Sequence, residues 1–135
     1  MSTAHDPTAD ERHRALIVED DPAIGKLVEK LLKRQQIDVD VATDGRTAME
    51  KLRSAPYSVV VLDLMVPEVN GFEIIEYLKR ENVTTPVAVV SAVSQQALTK
   101  LDLDVVKLVI SKPFDVDEFT KAIVALCREP ATPTN

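Results

Sequence analysis

Val59-Val60-Val61-Leu62-Asp63 is a continuous apolar run that ends on an acid. An apolar run of this length, without alternation, is typical of a strand buried on both faces of a parallel sheet. Ala15-Leu16-Ile17-Val18, followed directly by Glu19, repeats the pattern near the start of the chain. The two runs predict a buried parallel sheet with acids at the ends of its strands.

The segments around these runs alternate between strand-like and helix-like patterns. The predicted strands cover 15–18, 37–41, 59–62, 87–90 and 105–110. The predicted helices lie at about 22–35, after Asp44-Gly45, around Phe72 to Leu78, around Ala97 to Leu101, and after Asp115. This alternation predicts right-handed crossover units. The expected fold class is α/β: a five-stranded, doubly wound parallel sheet with flavodoxin-like order 2-1-3-4-5 and helices on both faces.

Local signals mark two of these elements. Segment 37–41 alternates apolar and acidic residues, which is typical of an exposed edge strand. In the last helix Asp115 and Glu118 fit a capping box, while Phe114 and Phe119 fit a hydrophobic staple. We therefore expect one sheet edge at 37–41 and a helix that begins just after Asp115.

Composition limits the classes of function. With 135 residues, 45% of them hydrophobic, the chain has the size and apolar content of one ordinary domain. Its formal net charge of −6 argues against direct nucleic-acid binding, which needs clustered Lys and Arg. Cys127 is the only cysteine and has no disulfide partner within the chain, which fits a reducing compartment.

The two ends of the chain are polar. Residues 1–13 are rich in titratable side chains and contain no apolar segment resembling a secretory signal. No apolar run approaches the roughly 20 residues that a membrane helix needs. We expect a flexible leader over 1–13, one domain over 14–128 and a disordered tail over 129–135. The expected location is the cytoplasm, without membrane contact.

Polar residues follow the ends of four predicted strands. Glu19 and Asp20 follow the first, Asp63 the third, Ser91 the fourth and Lys112 the fifth. Ligands of such sheets bind beyond the carboxyl ends of the strands, near the point where strand order reverses. Crowded carboxylates must protonate or bind a cation, and hard oxygen ligands select Mg2+ or Ca2+. A divalent cation site is expected there.

Each of these residues also has an ordinary structural role. Asp21 is the expected N-cap of the first helix, and Asp63 alone could cap its loop. Ser91 could be an ordinary serine at a strand end, and Lys112 an ordinary solvated lysine. In combination they suit phosphoryl transfer, because a carboxylate beside a metal is an apt nucleophile. A hydroxyl and an ammonium can each meet a phosphoryl oxygen. We therefore predict that Asp63 is the nucleophile and Asp20 a metal ligand.

The motifs, in this order and on these elements, resemble the response-regulator receiver domain of bacterial two-component signalling, in its single-domain, chemotaxis-type form. The resemblance covers roughly 14–127. It rests on Leu16-Ile17-Val18-Glu19-Asp20-Asp21, Asp63-Leu64-Met65-Val66-Pro67 with Gly71, Ser91-Ala92, and Lys112-Pro113-Phe114. It implies a phosphorelay switch in which a sensor histidine kinase, a phosphotransfer protein or a small phosphodonor phosphorylates Asp63.

The resemblance also implies the cofactor and its ligands. Mg2+ would be held by Asp20 directly, by Glu19 as a second acid that often acts through water, and by Asp63 itself. Met65 would contribute its backbone carbonyl. Phosphorylation would then change the interaction with a downstream protein target, which the sequence does not name.

Two further residues of the cleft match the family, and three positions depart from it. Ser91 matches the switch hydroxyl, and Lys112 matches the lysine that contacts the phosphoryl group and precedes a cis proline. Val109 replaces the usual aromatic residue, 101–104 replaces a Gly-Ala turn, and Gly25 replaces an Arg. These departures leave the chemistry intact and predict an unusual coupling to output.

Four other functions compete with this interpretation. A haloacid-dehalogenase-like phosphatase needs a second Asp two residues after the nucleophile, where this chain has Met65. A flavodoxin-like electron carrier needs a Ser/Thr/Gly-rich phosphate loop after the first strand, where this chain has acids. A histidine phosphotransfer module is disfavoured because His5 and His13 lie in the polar leader. A pseudo-receiver that only docks is the main non-catalytic alternative.

The expected protein is a switch and not an enzyme in the usual sense. It would catalyse only its own phosphoryl transfer and a slow autodephosphorylation. With no effector expected after the last helix, output would pass through another protein or through a phosphorylation-dependent dimer. Direct binding to nucleic acid is not expected.

Overall fold

A computed structural model describes residues 13–92 and 94–128 of the chain. Strands and helices alternate throughout. The elements are β1 (Arg14–Val18), α1 (Pro22–Lys33), β2 (Asp38–Ala42), α2 (Gly45–Ser54), β3 (Val59–Leu62), α3 (Gly71–Arg80), β4 (Val87–Ser91), α4 (Gln95–Leu98), β5 (Val106–Ser111) and α5 (Val116–Arg128). Residues 1–12 of the expected leader 1–13 and the whole tail 129–135 lie outside the described residues, so the expectations for them stay predictions.

The sheet has five parallel strands in the order β2-β1-β3-β4-β5, which confirms the expected topology. β1 lies between β2 and β3, with Leu16 opposite Asp40 and Val60. The chain first extends the sheet from β1 to β2 and then returns past β1 to β3, so the strand order reverses between β1 and β3. Asp63 and Glu19 immediately follow the two strands that flank this point.

Alternate residues of the central strands face opposite sides of the sheet, and each face is covered by helices. Leu16, Val18, Val60 and Leu62 pack in one buried cluster with residues of α2 and α3. Ala15, Ile17, Val59 and Val61 pack in a second cluster with residues of α1 and α5. Because both faces are covered, the central strands can be apolar at every position, as their sequences indicated.

The helices begin at the capping residues that the sequence indicates. The Asp21 carboxylate accepts the backbone N–H of Ala23 at 2.9 Å, and Pro22 is the first residue of α1. Asp115 accepts the N–H of Glu118 at 2.9 Å. The rings of Phe114 and Phe119 lie 4.8 Å apart between centroids, which confirms the staple. These contacts fix where α1 and α5 leave the sheet.

Several elements differ from their predicted extents: β1 begins one residue earlier than expected, β4 ends one residue later, and α1 ends at Lys33. β2 and β5 each begin and end one residue later than expected, although β2 is an edge strand as predicted. α4 has only four residues, and Leu101 lies beyond it in a turn yet is buried. The Asp102 carboxylate there accepts Lys79 Nζ at 2.6 Å and the Asp104 N–H at 2.9 Å. The hydrogen bond to Asp104 is local and the one to Lys79 reaches α3, and both hold Asp102 outside a helix.

Two observations bear on the environment of the fold. Among the residues that the structure describes, no helix combines the length and the apolar character needed to cross a bilayer. The single cysteine, Cys127, is a buried free thiol on α5, packed in the cluster between α1, α5 and the sheet. The Cys127 side chain is therefore part of the hydrophobic core.

Candidate functional site

Backbone hydrogen bonds between neighbouring strands continue one residue beyond the ends of β1, β3 and β5. These bonds position the polar residues that follow the strands. The Asp63 N–H donates to the carbonyl of Val18 at 3.0 Å, and the Glu19 N–H donates to Ala42 at 3.0 Å. The Lys112 N–H donates to the carbonyl of Ser91 at 3.1 Å. Side chains from four different strand ends therefore meet in one cleft on rigid supports.

The Asp63 carboxylate lies at the centre of this cleft and accepts three hydrogen bonds. The Met65 N–H donates to Oδ1 at 3.0 Å, and the Ser91 hydroxyl donates to the same oxygen at 3.1 Å. Lys112 Nζ donates to Oδ2 at 3.0 Å. Asp63 is only 8% exposed, so the carboxylate is held in one orientation by groups that are themselves buried or half-buried.

Glu19 and Lys112 form the second contact of the cleft. Lys112 Nζ donates to Glu19 Oε1 at 2.7 Å, while the other oxygen of Glu19 accepts the Asp21 N–H at 3.1 Å. The ammonium therefore bridges two buried carboxylates, Glu19 and Asp63. The sequence placed Lys112 in the cleft but gave no indication of this bridge.

Asp20 completes an acidic cluster at the rim of the cleft. One carboxylate oxygen from each of Glu19, Asp20 and Asp63 lies within 4.8 Å of the others, and Asp20 is exposed while its two neighbours are buried. Three carboxylates with one ammonium leave the cluster two negative charges in excess. Hard oxygen donors in this arrangement fit a divalent cation site.

Met65 and Asp21 take different positions from the three acids. The Met65 side chain is 67% exposed, and its backbone N–H rather than its side chain meets Asp63. Asp21 turns away to cap α1, as predicted from the sequence. The Lys112–Pro113 peptide is cis, which confirms the expectation drawn from the resemblance.

Burial and hydrogen bonding move the pKa values of the cleft in opposite directions. Burial raises the pKa of Glu19 and outweighs the lowering effect of Lys112. Burial also acts to raise the pKa of Asp63, but the Met65 N–H, Lys112 and Ser91 together bring it below the usual range. For Lys112, burial would lower the pKa, and its two carboxylate partners raise it instead. Asp63 and Lys112 are therefore charged at neutral pH.

A comparison of the whole chain with protein-family models finds a match over residues 15–124 to the family described as the response regulator receiver domain. The matched segment runs from β1 into α5 and contains every strand end that contributes to the cleft.

Two curated relatives agree with this match. Response regulator ArlR of Staphylococcus saprophyticus is 36% identical over 117 residues, which is 85% of this chain and 52% of that protein. The alkaline phosphatase synthesis transcriptional regulatory protein SphR of Synechococcus elongatus is 36% identical over 132 residues, covering 90% of this chain and 50% of SphR. The chain thus spans about half the length of each relative.

Solved structures have the same fold. The receiver domain of the Francisella response regulator 1452 superposes with a TM-score of 0.80 at 27% identity, covering 87% of this chain and 98% of that one. The Thermotoga maritima response regulator TrrA, solved in complex with Mg2+ and BeF, gives a TM-score of 0.75 at 24% identity, covering 84% and 98%. This chain therefore belongs to the response regulator receiver domain family, whose members act within two-component signal transduction systems.

Proposed function

We propose that the protein is a phosphorylation switch in which the Asp63 carboxylate accepts a phosphoryl group with Mg2+ as the cofactor. The observation that carries the proposal is the position of Asp63: its carboxylate is buried, accepts hydrogen bonds from Met65, Ser91 and Lys112, and lies within the acidic cluster. A carboxylate at a structural loop cap would not need two acids and a half-buried ammonium around it.

The proposed step is a direct transfer to the carboxylate. One Asp63 oxygen attacks the phosphorus of a phosphohistidine on a sensor kinase or phosphotransfer protein, or of a small phosphodonor. A P–O bond forms as the bond from phosphorus to the donor breaks, and the donor leaves with the bonding electron pair. The product is an aspartyl phosphate, which water later hydrolyses slowly in an autodephosphorylation.

The cation would be held by Asp20, by Glu19 directly or through water, by Asp63, and by the carbonyl of Met65. When bound, Mg2+ neutralises the phosphoryl oxygens and so lets a carboxylate approach them. The acidic cluster supports this assignment, because its oxygen donors are those that Mg2+ prefers. The Thermotoga relative solved with Mg2+ and BeF supports the same choice of ion.

Lys112 and Ser91 supply the remaining contacts to the transferred group. Lys112 already donates to an Asp63 oxygen, so its ammonium is in place to pair with a phosphoryl oxygen once one is attached there. The Ser91 hydroxyl donates to the other oxygen and is proposed as the switch hydroxyl that follows the phosphoryl group. Its movement would carry the signal from the cleft to β4 and β5.

The proposal includes the partners of the switch. A sensor histidine kinase or a phosphotransfer protein would supply the phosphoryl group, and a downstream protein would respond to the change, with a phosphorylation-dependent dimer as one form of output. We place these events in the cytoplasm, which the lone free thiol of Cys127 supports because it suits a reducing compartment.

The test is labelling with acetyl phosphate and Mg2+, followed by intact-mass measurement and peptide mapping. The native chain should gain one phosphoryl group, Asp63→Asn none, and the matched control Asp115→Asn one, because Asp115 caps α5 outside the cleft. Undiminished labelling of Asp63→Asn would move the nucleophile elsewhere. A native chain that binds Mg2+ but is never labelled would favour a docking module, and sustained turnover of a phosphomonoester would favour a phosphatase.

A further inference from the structure

The loop 64–70, which leads from Asp63 to α3, is packed between the first residues of α2 and α3. The chain contains only three glycines, and two of them, Gly45 and Gly71, are the residues that press against this loop. The third, Gly25, lies in α1 away from it. Gly45 and Gly71 therefore both allow neighbouring backbone to approach the loop closely.

Gly45 allows the closer of the two approaches. Its N–H donates to the carbonyl of Pro67 at 2.9 Å. A Cβ added to Gly45 would lie 1.5 Å from the carbonyl oxygen of Val69 and 2.4 Å from its carbonyl carbon. Both obstructing atoms belong to the backbone, so no side-chain rotation relieves the overlap. The first turn of α2 and the loop can meet only if residue 45 has no side chain.

Gly71 supports the loop from the other side. Its N–H donates to the carbonyl of Leu64 at 3.0 Å, and an added Cβ would lie 2.6 Å from the Cα of Leu64. By contrast, a Cβ on Gly25 would meet only a Val41 methyl group at 3.8 Å, which is an ordinary contact. The chain therefore offers a matched glycine at which a methyl group is harmless.

The first residues of the loop 64–70 connect the glycine contacts to the cleft. The Met65 N–H is hydrogen-bonded to the Asp63 carboxylate, so a displacement of the loop reaches that carboxylate directly. Leu64 and Val66 are buried, which resists any local adjustment between the cleft and the glycine contacts. A movement imposed at Val69 is thus carried toward Met65.

We infer that Gly45 is a positioning residue for the metal and phosphoacceptor site, acting through the loop 64–70 on Met65 and Asp63. The inference rests on the proposed function, because it concerns the site that would hold Mg2+. Gly45 touches none of the reacting groups itself. It sets how far the loop can move toward α2, and this sets where the Met65 backbone lies relative to Asp63.

Gly45→Ala should weaken Mg2+ binding while the sheet stays folded. The Cβ must be separated from Val69 by about 1.5 Å more before it reaches the 3.0 Å that real contacts respect. Mg2+ demands near-octahedral geometry, so a displaced ligand loop is poorly tolerated. We expect a loss of about 10-fold or more in Mg2+ affinity, the range found when groups that orient metal ligands are removed.

The experiment measures Mg2+ affinity by calorimetric titration well below the midpoint of thermal unfolding. It compares the native chain with Gly45→Ala, Gly25→Ala and Asp44→Ala. Asp44→Ala removes the N-cap that accepts the Thr47 N–H at 2.7 Å, so it weakens the start of α2 without placing an atom against the loop. A second readout, made without metal, is the amide NMR signal of Met65, which reports its hydrogen bond to Asp63.

The expected result is a loss of affinity and a shifted Met65 signal in Gly45→Ala alone. Native-like affinity in a folded Gly45→Ala variant would overturn the inference, and so would an equal loss in Asp44→Ala, since the effect would then follow helix stability. If Gly45→Ala does not fold, Gly71→Ala is measured in its place. A loss of about 10-fold or more in Mg2+ affinity supports the role of the loop contacts, and unchanged affinity refutes it. A native chain that binds no Mg2+ would instead overturn the proposed function, and this inference with it.

Discussion

The two ends of the parallel sheet each carry a polar network, and the two networks differ in charge. At the amino end of the sheet, Tyr57 just before β3 and Arg14 at the start of β1 both contact Asp40, the middle residue of β2. Asp40 accepts the Tyr57 hydroxyl at 2.7 Å and pairs with Arg14 at 3.2 Å. At the carboxyl ends, Asp63 and Glu19 share one ammonium while Asp20 adds a third carboxylate. The first network contains one acid and one base, and the second has an excess of acid.

This difference separates a structural network from a functional one. The amino-end network satisfies its own charges and ties β1, β2 and the start of β3 together, so it needs no outside ion. The carboxyl-end network is satisfied only in part by Lys112. Buried or half-buried charge that the fold leaves uncompensated is costly unless something binds there. Excess acid in a cleft is thus a better sign of function than a polar network as such.

The largest expected effect comes from removing an acid of the carboxyl-end cluster. Asp20→Ala should lower Mg2+ affinity by at least about 100-fold, since even the outer partners of metal ligands contribute 10- to 100-fold. Asp21→Ala, one residue along, should leave the affinity nearly unchanged and instead lower the free energy of unfolding by about 1 kcal/mol through loss of the N-cap. Calorimetric titration and chemical denaturation distinguish the two; equal losses of affinity would remove the distinction between cap and ligand.

The second effect is an increase in Mg2+ affinity, which is expected when the positive charge of Lys112 is removed from the cluster. Lys112→Met should raise Mg2+ affinity by about 30-fold, because an ammonium about 4 Å from a divalent cation costs roughly 2 kcal/mol even at the dielectric constant of water. Lys107→Met is the matched control, since Lys107 is an exposed residue of β5, the strand that Lys112 follows. Unchanged affinity in Lys112→Met would mean that its ammonium leaves the acids when the ion binds.

A smaller effect is expected at the amino-end network. Tyr57→Phe should lower the free energy of unfolding by about 1 kcal/mol through the lost hydrogen bond and leave Mg2+ affinity unchanged. Burial and the Asp40 hydrogen bond raise the pKa of Tyr57. Above about pH 10 the unfolded chain loses the Tyr57 proton while the folded chain keeps it, so stability falls as the pH rises.

The measurement for Tyr57 is denaturant unfolding between pH 8 and pH 12. The native chain should lose stability more steeply than Tyr57→Phe over the upper part of this range. Parallel curves for the two proteins would show that Tyr57 ionises equally easily in the folded and unfolded states, contrary to its buried contacts.

The smallest effect concerns the connection from the cleft to β5. Val109 is 40% exposed, β-branched and stiff, so it would fill little of the space that the proposed movement of Ser91 toward a phosphoryl group would open. We expect weak coupling in the native chain and a wider response in Val109→Tyr. Amide NMR signals of α4, β5 and α5, recorded with and without beryllofluoride as a phosphoryl mimic, compare them. Val116→Tyr is the control, and a native response as wide as that of Val109→Tyr would contradict the prediction.

The sequence predicts the sheet and the members of the cleft because both depend on local pattern. Unbroken apolar runs identify β1 and β3, and the residue after each run identifies Glu19 and Asp63. The alternation of elements indicates a doubly wound sheet and the pattern of β2 indicates an edge, while the full strand order was expected from the flavodoxin-like class of such sheets. The structure brings Asp20, Ser91 and Lys112 to the same cleft, as the rule for carboxyl ends of parallel strands indicates.

Other features depend on tertiary contacts that no local pattern records. The end of α4 is set by the hydrogen bonds of Asp102, one of them to Lys79 on a distant helix. The bridge from Lys112 to Glu19 joins residues that are far apart in sequence. The demand for glycine at position 45 comes from the carbonyl of Val69. The sequence marks Asp44-Gly45 only as a helix start.

The buried thiol of Cys127 makes the opening of α5 measurable by chemical alkylation. Burial raises the pKa of Cys127 to about 11, and the side chain is 5% exposed, so the folded protein presents almost no thiolate to an alkylating reagent. Because the sequence has no other cysteine, each alkylated molecule has opened at least at α5. Alkylation rates at Cys127 can therefore rank purified variants by the stability of that helix, without a reporter residue being engineered into the chain.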